Sequence, residues 1–334
     1  MPQTVTEGHA FARAGVLGNP SDGYFGRTLS VVLRNFQATV SLEESTDLRI
    51  EPEVHDLGVF RDMGHLAESV SRQGYYGGGR LIKAAIKVFY TYCRERDLPL
   101  LGENFTARFQ SSIPRQVGLG GSSAIVTATL RALMAFFDVQ IPRDQQPNLT
   151  LSAELDELGI TAGLQDRVVQ VYEGLVYMDF SREIMEELGH GAYEPLDPSL
   201  LPRMFVAHQP GPTKVSGRML DDVRTRWEHG DAEVHETVGR IAALATKGRD
   251  ALLEGNHRAF SSLMNENFDL RSRIMRIASA DLSWVEAARS LGASAKLTGS
   301  GGAIIGMVES EEMLQGIKEK LGALGAVVLE PVTA

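Results

Sequence analysis

The sequence predicts an α+β protein of two lobes, and three observations carry that prediction. The opening stretch is rich in short strand-like runs, helical stripes follow it, and the glycine- and proline-bearing segment Glu187 to Pro202 precedes a second half that again mixes strands with helices. At 334 residues the chain has room for about two domains, and the lobes are drawn as residues 1–187 and 188–334.

Phe11 to Leu17 reads as a short strand ending in the turn-rich run Gly18-Asn19-Pro20-Ser21-Asp22-Gly23, and Thr28 to Leu33 and Phe36 to Leu42 read as two further strands. Gly77, Gly78 and Gly79 introduce a helix over Arg80 to Arg94, where Leu81, Ala84, Ala85, Val88 and Tyr92 form an apolar stripe. Phe105 to Ser111 alternates as a strand does and leads into Pro114-Arg115-Gln116-Val117-Gly118-Leu119-Gly120-Gly121-Ser122-Ser123-Ala124. In the helix that follows, Val126, Leu130, Leu133, Met134 and Phe137 fall at i, i+4, i+7, i+8 and i+11 and share one face. Pro142 to Asn148 reads as a surface connection, Leu151 to Leu158 as helical, Thr161 to Asp166 as a loop, Arg167 to Tyr172 as a second helix and Leu175 to Phe180 as a strand.

The second lobe starts with a strand at Met204 to His208 and a loop over Gly211 to Ser216. Helical patterns run from Met219 to Gly292, then strand, loop and strand cross Ala295 to Val308. A helix over Glu311 to Leu321 and a strand near Val327 to Leu329 close the chain.

Composition excludes several classes. An apolar fraction of 43% and a charged fraction of 23% are those of an ordinary globular protein. Lys and Arg total 33 against 43 for Asp and Glu, a net charge of −10, which argues against nucleic-acid or anionic-membrane partners. An anionic substrate then needs local arginines or a metal. The single cysteine, Cys93, forms no internal disulfide and fits a reducing cytosol. The first fifteen residues lack an apolar signal core and no run of eighteen apolar residues occurs, so a soluble cytoplasmic protein is expected. The eight histidines show no zinc spacing.

The chemistry concentrates in the glycine loops. In Pro114 to Ala124, glycines let the backbone fold closely round an anion, and the next helix presents unpaired N–H groups and its positive dipole end, so the segment reads as a phosphate cradle. A serine-capped helix start with turn glycines accounts for the same residues without a ligand. No lysine follows the glycines, and their spacing is not G-x-G-x-x-G, which excludes the two commonest phosphate-loop motifs. Ser122 or Ser123 occupies the place of a cap or a metal-ligating hydroxyl. A second glycine loop, Lys296-Leu297-Thr298-Gly299-Ser300-Gly301-Gly302-Ala303, lies between two short strands, where a tight β-turn is the alternative.

Together, Pro-x-x-x-Gly-Leu-Gly-Gly-Ser-Ser-Ala and Lys-Leu-Thr-Gly-Ser-Gly-Gly-Ala resemble motifs two and three of the GHMP kinases, the galactokinase, homoserine, mevalonate and phosphomevalonate kinase family. Arg13 to Asp22 aligns without gaps to the galactokinase-like first motif, and the three occur in family order. Longer strings are similar to the glucuronokinase branch, a group of sugar-1-kinases: Gly18 to Arg27, Tyr75 to Leu81, Asn104 to Thr106, Ile113 to Val126, Ala162 to Gly174, Leu175 to Phe180, Met264 to Asp269 and Ala295 to Ala303. The resemblance implies an N-terminal ribosomal-protein-S5-like lobe, a C-terminal ferredoxin-like lobe, ATP and Mg2+ as cofactors, and a small sugar acid as substrate.

It also implies residue roles. Pro114, Val117, Gly118, Leu119, Gly120, Gly121, Ser122, Ser123 and Ala124 would wrap ATP, and Thr298, Gly299, Ser300, Gly301 and Gly302 would form the third-motif loop. Ser122, in preference to Ser123, and Glu154 would hold magnesium; by itself Glu154 reads as a solvated carboxylate on the helix it shares with Asp156 and Glu157. Asp166 would accept or orient the proton of the attacking hydroxyl, with Arg13 keeping it ionised; its other reading is the N-cap of Arg167 to Tyr172. Asn19, Ser21 and Asp22 would contact the sugar. Galactokinase-like chains carry Glu-His where this one has Asn19-Pro20, and a neutral asparagine does not repel a uronic acid carboxylate. Arg27 and Arg115 are candidates for that carboxylate, although arginines more often make surface pairs. Tyr75 and Tyr76 lie near the base or in the core, Lys296 is set aside as a solvated strand-end lysine, and Asn265 and Asn267 are read as packing and loop positioning. The implied reaction is ATP-dependent phosphorylation of D-glucuronate at its anomeric hydroxyl. A kinase for galacturonate, a heptose or galactose, and a sugar- and nucleotide-sensing homologue without transfer, share the same motifs.

Overall fold

Strands at the N-terminus thread through two compact units of this α+β chain, seen in a computed structural model that describes residues 5–51, 58–73, 79–100, 104–211 and 217–334. One unit comprises 1–11, 36–113 and 121–171, and the other 12–35, 114–120 and 172–334, so each is assembled from interleaved stretches. The line between 187 and 188 falls inside the second unit. Tyr75, Tyr76, Gly77, Gly78 and the loop positions 212–216 lie outside the described residues.

The first unit takes the start of β1 (Val5–Leu17) and the end of β2 (Arg27–Ser45), with β3 (Leu48–Ile50), β4 (Gly58–Phe60) and β5 (Asn104–Ser111). β2 pairs antiparallel with β5, with Val40 opposite Phe109 and Leu42 opposite Ala107; β3 pairs with β5 in parallel and with β4 antiparallel. Its helices are α1 (Met63–Gln73), α2 (Arg80–Glu95), α3 (Gly121–Phe136), α4 (Gln146–Leu155) and α5 (Gln165–Tyr172). Phe105 on β5 meets Phe136 edge-on at 5.4 Å, and Phe89 of α2 stacks on Phe137 at 6.1 Å, so rings from a strand and two helical segments share one core.

The second unit pairs the start of β2 antiparallel with β6 (Leu175–Asp179), placing Arg27 opposite Asp179, and β6 with β7 (Ala192–Leu196) after α6 (Arg182–Leu188). A further antiparallel sheet orders β11 (Val327–Leu329), β8 (Met204–His208), β10 (Ala303–Met307) and β9 (Lys296–Leu297). Helices α7 (Gly217–Glu228), α8 (Ala232–Leu253), α9 (His257–Ile274), α10 (Ser279–Arg289) and α11 (Glu311–Ala323) complete the unit. Phe205, Phe268, Trp284, Ile304, Leu314 and Leu321 belong to one buried cluster of strand and helix side chains.

Three expectations are corrected. Thr28–Leu33 and Phe36–Leu42 are one continuous strand, because the polar pair between them has partners: Arg34 bonds Glu173 at 2.9 Å and Asn35 bonds the Glu330 carbonyl at 3.0 Å. Pro142 to Asn148 is only partly a connection, since α4 begins at Gln146 with buried Pro147 in its first turn, where the missing N–H costs nothing. Glu187 to Pro202 contains strand β7, reached through Gly189 in the left-handed region at φ 73°.

Candidate active site

Three segments distant in sequence are laced together in the second unit. Arg13 on β1 donates its backbone N–H to the Leu119 carbonyl at 3.1 Å, and the Gly15 N–H reaches the Thr298 carbonyl at 2.8 Å. The Arg13 guanidinium donates through Nη1 to the Gly118 carbonyl at 2.6 Å and the Thr298 carbonyl at 3.3 Å, while Thr298 Oγ1 donates to Gly118 at 3.0 Å. The approach is too close for side chains. A Cβ on Gly118, whose φ is +70°, would lie 2.6 Å from the Gly301 carbonyl, and one on Gly299 would lie 2.5 Å from the Gly118 carbonyl. The first- and third-motif residues and the glycine loop through Gly120 are therefore brought together as one scaffold, centred on Arg13.

The N-terminal turn is held from beneath. Asn267 on α9 accepts the Gly18 N–H at 2.8 Å and donates to the Asn19 carbonyl at 3.2 Å, so its loop-positioning role is seen directly. Lys296 is buried, contrary to the solvated reading, because the short β9 delivers its ammonium to three acceptors: Asn19 Oδ1 at 2.5 Å and the Gly15 and Leu297 carbonyls at 2.8 Å. Burial, and then the charges of Arg271 and Arg13, pull its pKa well below the ordinary lysine value. Ser21 is buried and its hydroxyl donates to the Arg27 carbonyl at 2.8 Å. Arg27 donates to Asp179 at 2.6 Å, and that bond raises its pKa further. Asp22 is half-buried on the turn, and Arg115 is exposed on the glycine loop.

In the first unit, Gly121, Ser122, Ser123 and Ala124 form the opening turn of α3. Ser122 donates its hydroxyl to Glu154 Oε1 at 2.7 Å, while Ser123 is buried, which separates the two serines. Glu154 is fully buried rather than solvated: α4 packs against α2 and α3, and its other oxygen, Oε2, takes Arg167 Nε at 2.9 Å with Arg167 Nη2 on the same atom. Glu157 instead pairs with Lys87 at 2.6 Å. Asp166 stands inside the first turn of α5 and not at its cap, where the helix dipole favours a carboxylate. Arg167 Nη1 lies 3.7 Å from Asp166 Oδ2 and donates to the Gly163 carbonyl at 2.8 Å.

Sequence reasoning missed Arg167, Arg271 and Asp281. Arg167 follows Asp166 directly, and an arginine in the first turn of a short helix that also buries Val168, Val169 and Val171 is the signal that a buried carboxylate awaits it. Asn267 and Arg271 stand at i, i+4 on α9, a polar stripe within an apolar face.

Residues 80–174 match the family model described as GHMP kinases N terminal domain, and residues 249–327 match GHMP kinases C terminal. The chain belongs to the GHMP kinase family and is a kinase, a phosphotransferase that acts on a hydroxyl group. It is 48% identical over 305 residues to Glucuronokinase 1 of Arabidopsis thaliana, covering 90% of this chain and 84% of that protein. It is 45% identical over 336 residues to Probable glucuronokinase 2 of the same species, covering 98% and 91%. In fold it is similar to the crystal structure of Lactococcus lactis galactokinase complexed with galactose, with a TM-score of 0.79 at 15% identity over 99% of this chain and 94% of that one.

Proposed function

We propose that this chain transfers the γ-phosphoryl group of ATP to the anomeric hydroxyl of D-glucuronate, giving glucuronate 1-phosphate and ADP. The observation that carries the reading is the identity of 45–48% to two glucuronokinases over nearly the whole chain. The buried Cys93 and the absence, among the described residues, of any helix long and apolar enough to cross a membrane agree with action in the cytoplasm.

Phosphoryl transfer asks the protein for positioning and charge stabilisation more than covalent work. In this reading the backbone from Val117 to Ser123 wraps the triphosphate, and Thr298 to Gly302 supports that loop from behind. Arg13, fixed by the Gly118 and Thr298 carbonyls, offers charge to the transferring group. Asp166 orients the anomeric hydroxyl and accepts its proton as the new P–O bond forms and the bond to ADP breaks. Asn19, Ser21 and Asp22 line the sugar turn, with Ser21 acting through the Arg27 carbonyl that it holds.

Magnesium fits the residues present. Ser122 Oγ and Glu154 Oε1 are adjacent oxygens, 2.7 Å apart, while Arg167 occupies the second carboxylate oxygen. Among the described residues no group of three or more His, Cys, Asp and Glu side chains gathers into an all-protein cage, and magnesium uses one or two protein oxygens together with phosphates and waters. When bound there it would neutralise phosphate charge. The two lobes, 1–187 and 188–334, belong to the same proposal.

Purified protein offered glucuronate, galacturonate, galactose, a heptose and mevalonate with ATP in a coupled ADP assay is expected to turn over glucuronate fastest. Turnover of a neutral sugar or mevalonate, with none on glucuronate, sinks the substrate assignment. ATP and sugar binding by calorimetry without ADP release sinks the enzymatic one.

A further inference from the structure

Arg271 is a buried charge of the second unit. It lies on α9, one turn beyond Asn267, and Asn267 grips the N-terminal turn at Gly18 and Asn19, so the i, i+4 spacing sets Arg271 on the helix face that meets this turn. Its side chain is only 2% exposed, and its Nε is buried with no hydrogen-bond partner among the described residues. The charges of Asp281 and Asp22 act on it, and Asp281 spends both carboxylate oxygens on the Gly302 N–H, each at 3.1 Å. Burial lowers the Arg271 pKa only to about 10, so the guanidinium stays charged at neutral pH. A buried guanidinium N–H without an acceptor is costly, and an arginine kept in that state is explained by an anion that arrives from outside the chain.

A second donor stands on the turn itself. Asn19 is buried, and its amide oxygen Oδ1 is the arm that accepts from Lys296, at 2.5 Å. The other arm, Nδ2, is then a donor, and it is buried with no partner among the described residues. A guanidinium edge and an amide N–H match the two oxygens of one planar carboxylate. Arg27 does not compete, since it is held by Asp179, and Arg115 is exposed.

We infer that Arg271, with the side-chain amide of Asn19, is the specificity-determining pair that reads the carboxylate of an acidic sugar. The inference rests on the glucuronate kinase reading above and adds to it the group that tells acid from neutral sugar.

The test compares kcat/KM for D-glucuronate and its neutral isostere D-glucuronamide in the wild type and in Arg271→Gln, Arg271→Lys and Asn19→Asp. The acid-to-amide ratio is expected to fall on the order of 10²- to 10³-fold in Arg271→Gln, chiefly through KM for the acid, and less in Arg271→Lys. Asn19→Asp keeps an acceptor for Lys296 but replaces the donor with a like charge, and its ratio falls as well; it decides the matter if Arg271→Gln does not accumulate folded. An equal loss on acid and amide makes Arg271 a structural residue and overturns the proposal. A wild type that uses glucuronate and an Arg271→Gln that keeps the acid preference overturn the pair while leaving the kinase reading intact. A wild type that ignores glucuronate but prefers another sugar acid over its amide, a preference lost in Arg271→Gln, does the reverse.

Discussion

Glu154 shows at the residue scale how a carboxylate is made useful inside a protein. Its two oxygens are divided between the Ser122 hydroxyl and the Arg167 guanidinium, so a fully buried charge is compensated while one oxygen stays beside the glycine loop's serine. Arg167 is thus a positioning residue for Glu154 and a near neighbour of Asp166. Asp166→Asn keeps the size and most of the packing of this group but removes the proton acceptor. It should lower kcat by about 10²- to 10⁴-fold with the ATP dissociation constant little changed, which steady-state kinetics and calorimetry check together; a variant of near wild-type kcat removes Asp166 from the centre of the reaction. Asp281 yields a pH prediction. Burial holds its carboxyl above the usual carboxylate range, while the Gly302 N–H and Arg271 pull the other way. The folded chain therefore keeps this proton to a higher pH than the unfolded chain, and between the two pKa values stability falls as pH rises. Urea midpoints from about pH 4 to about pH 7 should show the wild type losing ground to Asp281→Asn as pH increases; a gap that does not vary with pH contradicts the assignment.

At the scale of elements, α9 carries more of the site than its packing suggests. Its cap, Asn256, accepts the Ala259 N–H at 3.1 Å, its apolar face includes Phe260, Met264 and Phe268, and its polar stripe supplies Asn267 and Arg271. Asn256→Ala should cost about 1 kcal/mol in chemical denaturation, the usual worth of an N-cap side chain. An unchanged midpoint would show that tertiary packing alone holds the start of the helix. The glycine loops were legible as loops because glycine's backbone freedom is written in the residue type. Their lacing was not, because the Arg13 bonds to Gly118 and Thr298 join residues that no local pattern connects. Lys296 was misread for the same reason: a lysine at a strand end is solvated by default, and only the neighbouring Asn19 and Gly15 show that this one is enclosed.

Across the whole molecule, the chain's order and its compactness differ. Residues 12–35 and 114–120 cluster with the C-terminal half, although they stand early in the sequence. Yet the sheet of β8, β9, β10 and β11 and the cluster containing Phe205, Trp284 and Leu321 draw only on residues beyond 187. A fragment of residues 188–334 is accordingly expected to unfold cooperatively, followed by the fluorescence of Trp284, which is 2% exposed in the intact chain. A fragment without a cooperative transition would mean that the interleaved unit, and not the contiguous lobe, is the folding unit.

The α+β order and the glycine loops were determined by the sequence alone, since periodicity and turn residues are local properties of the chain, and the resemblance to the family motifs pointed to the serine, aspartate and glutamate of the proposed chemistry. The strings shared with the glucuronokinase branch anticipated the 45–48% identities. Only the tertiary structure decided which oxygen of Glu154 faces Ser122, that Arg27 is engaged by Asp179, that Lys296 is enclosed, and that Arg271 is buried with an Nε that has no partner among the described residues. Burial and pairing depend on what folds over a residue from far along the chain, and a buried arginine and a solvated one are the same letter until that packing is known.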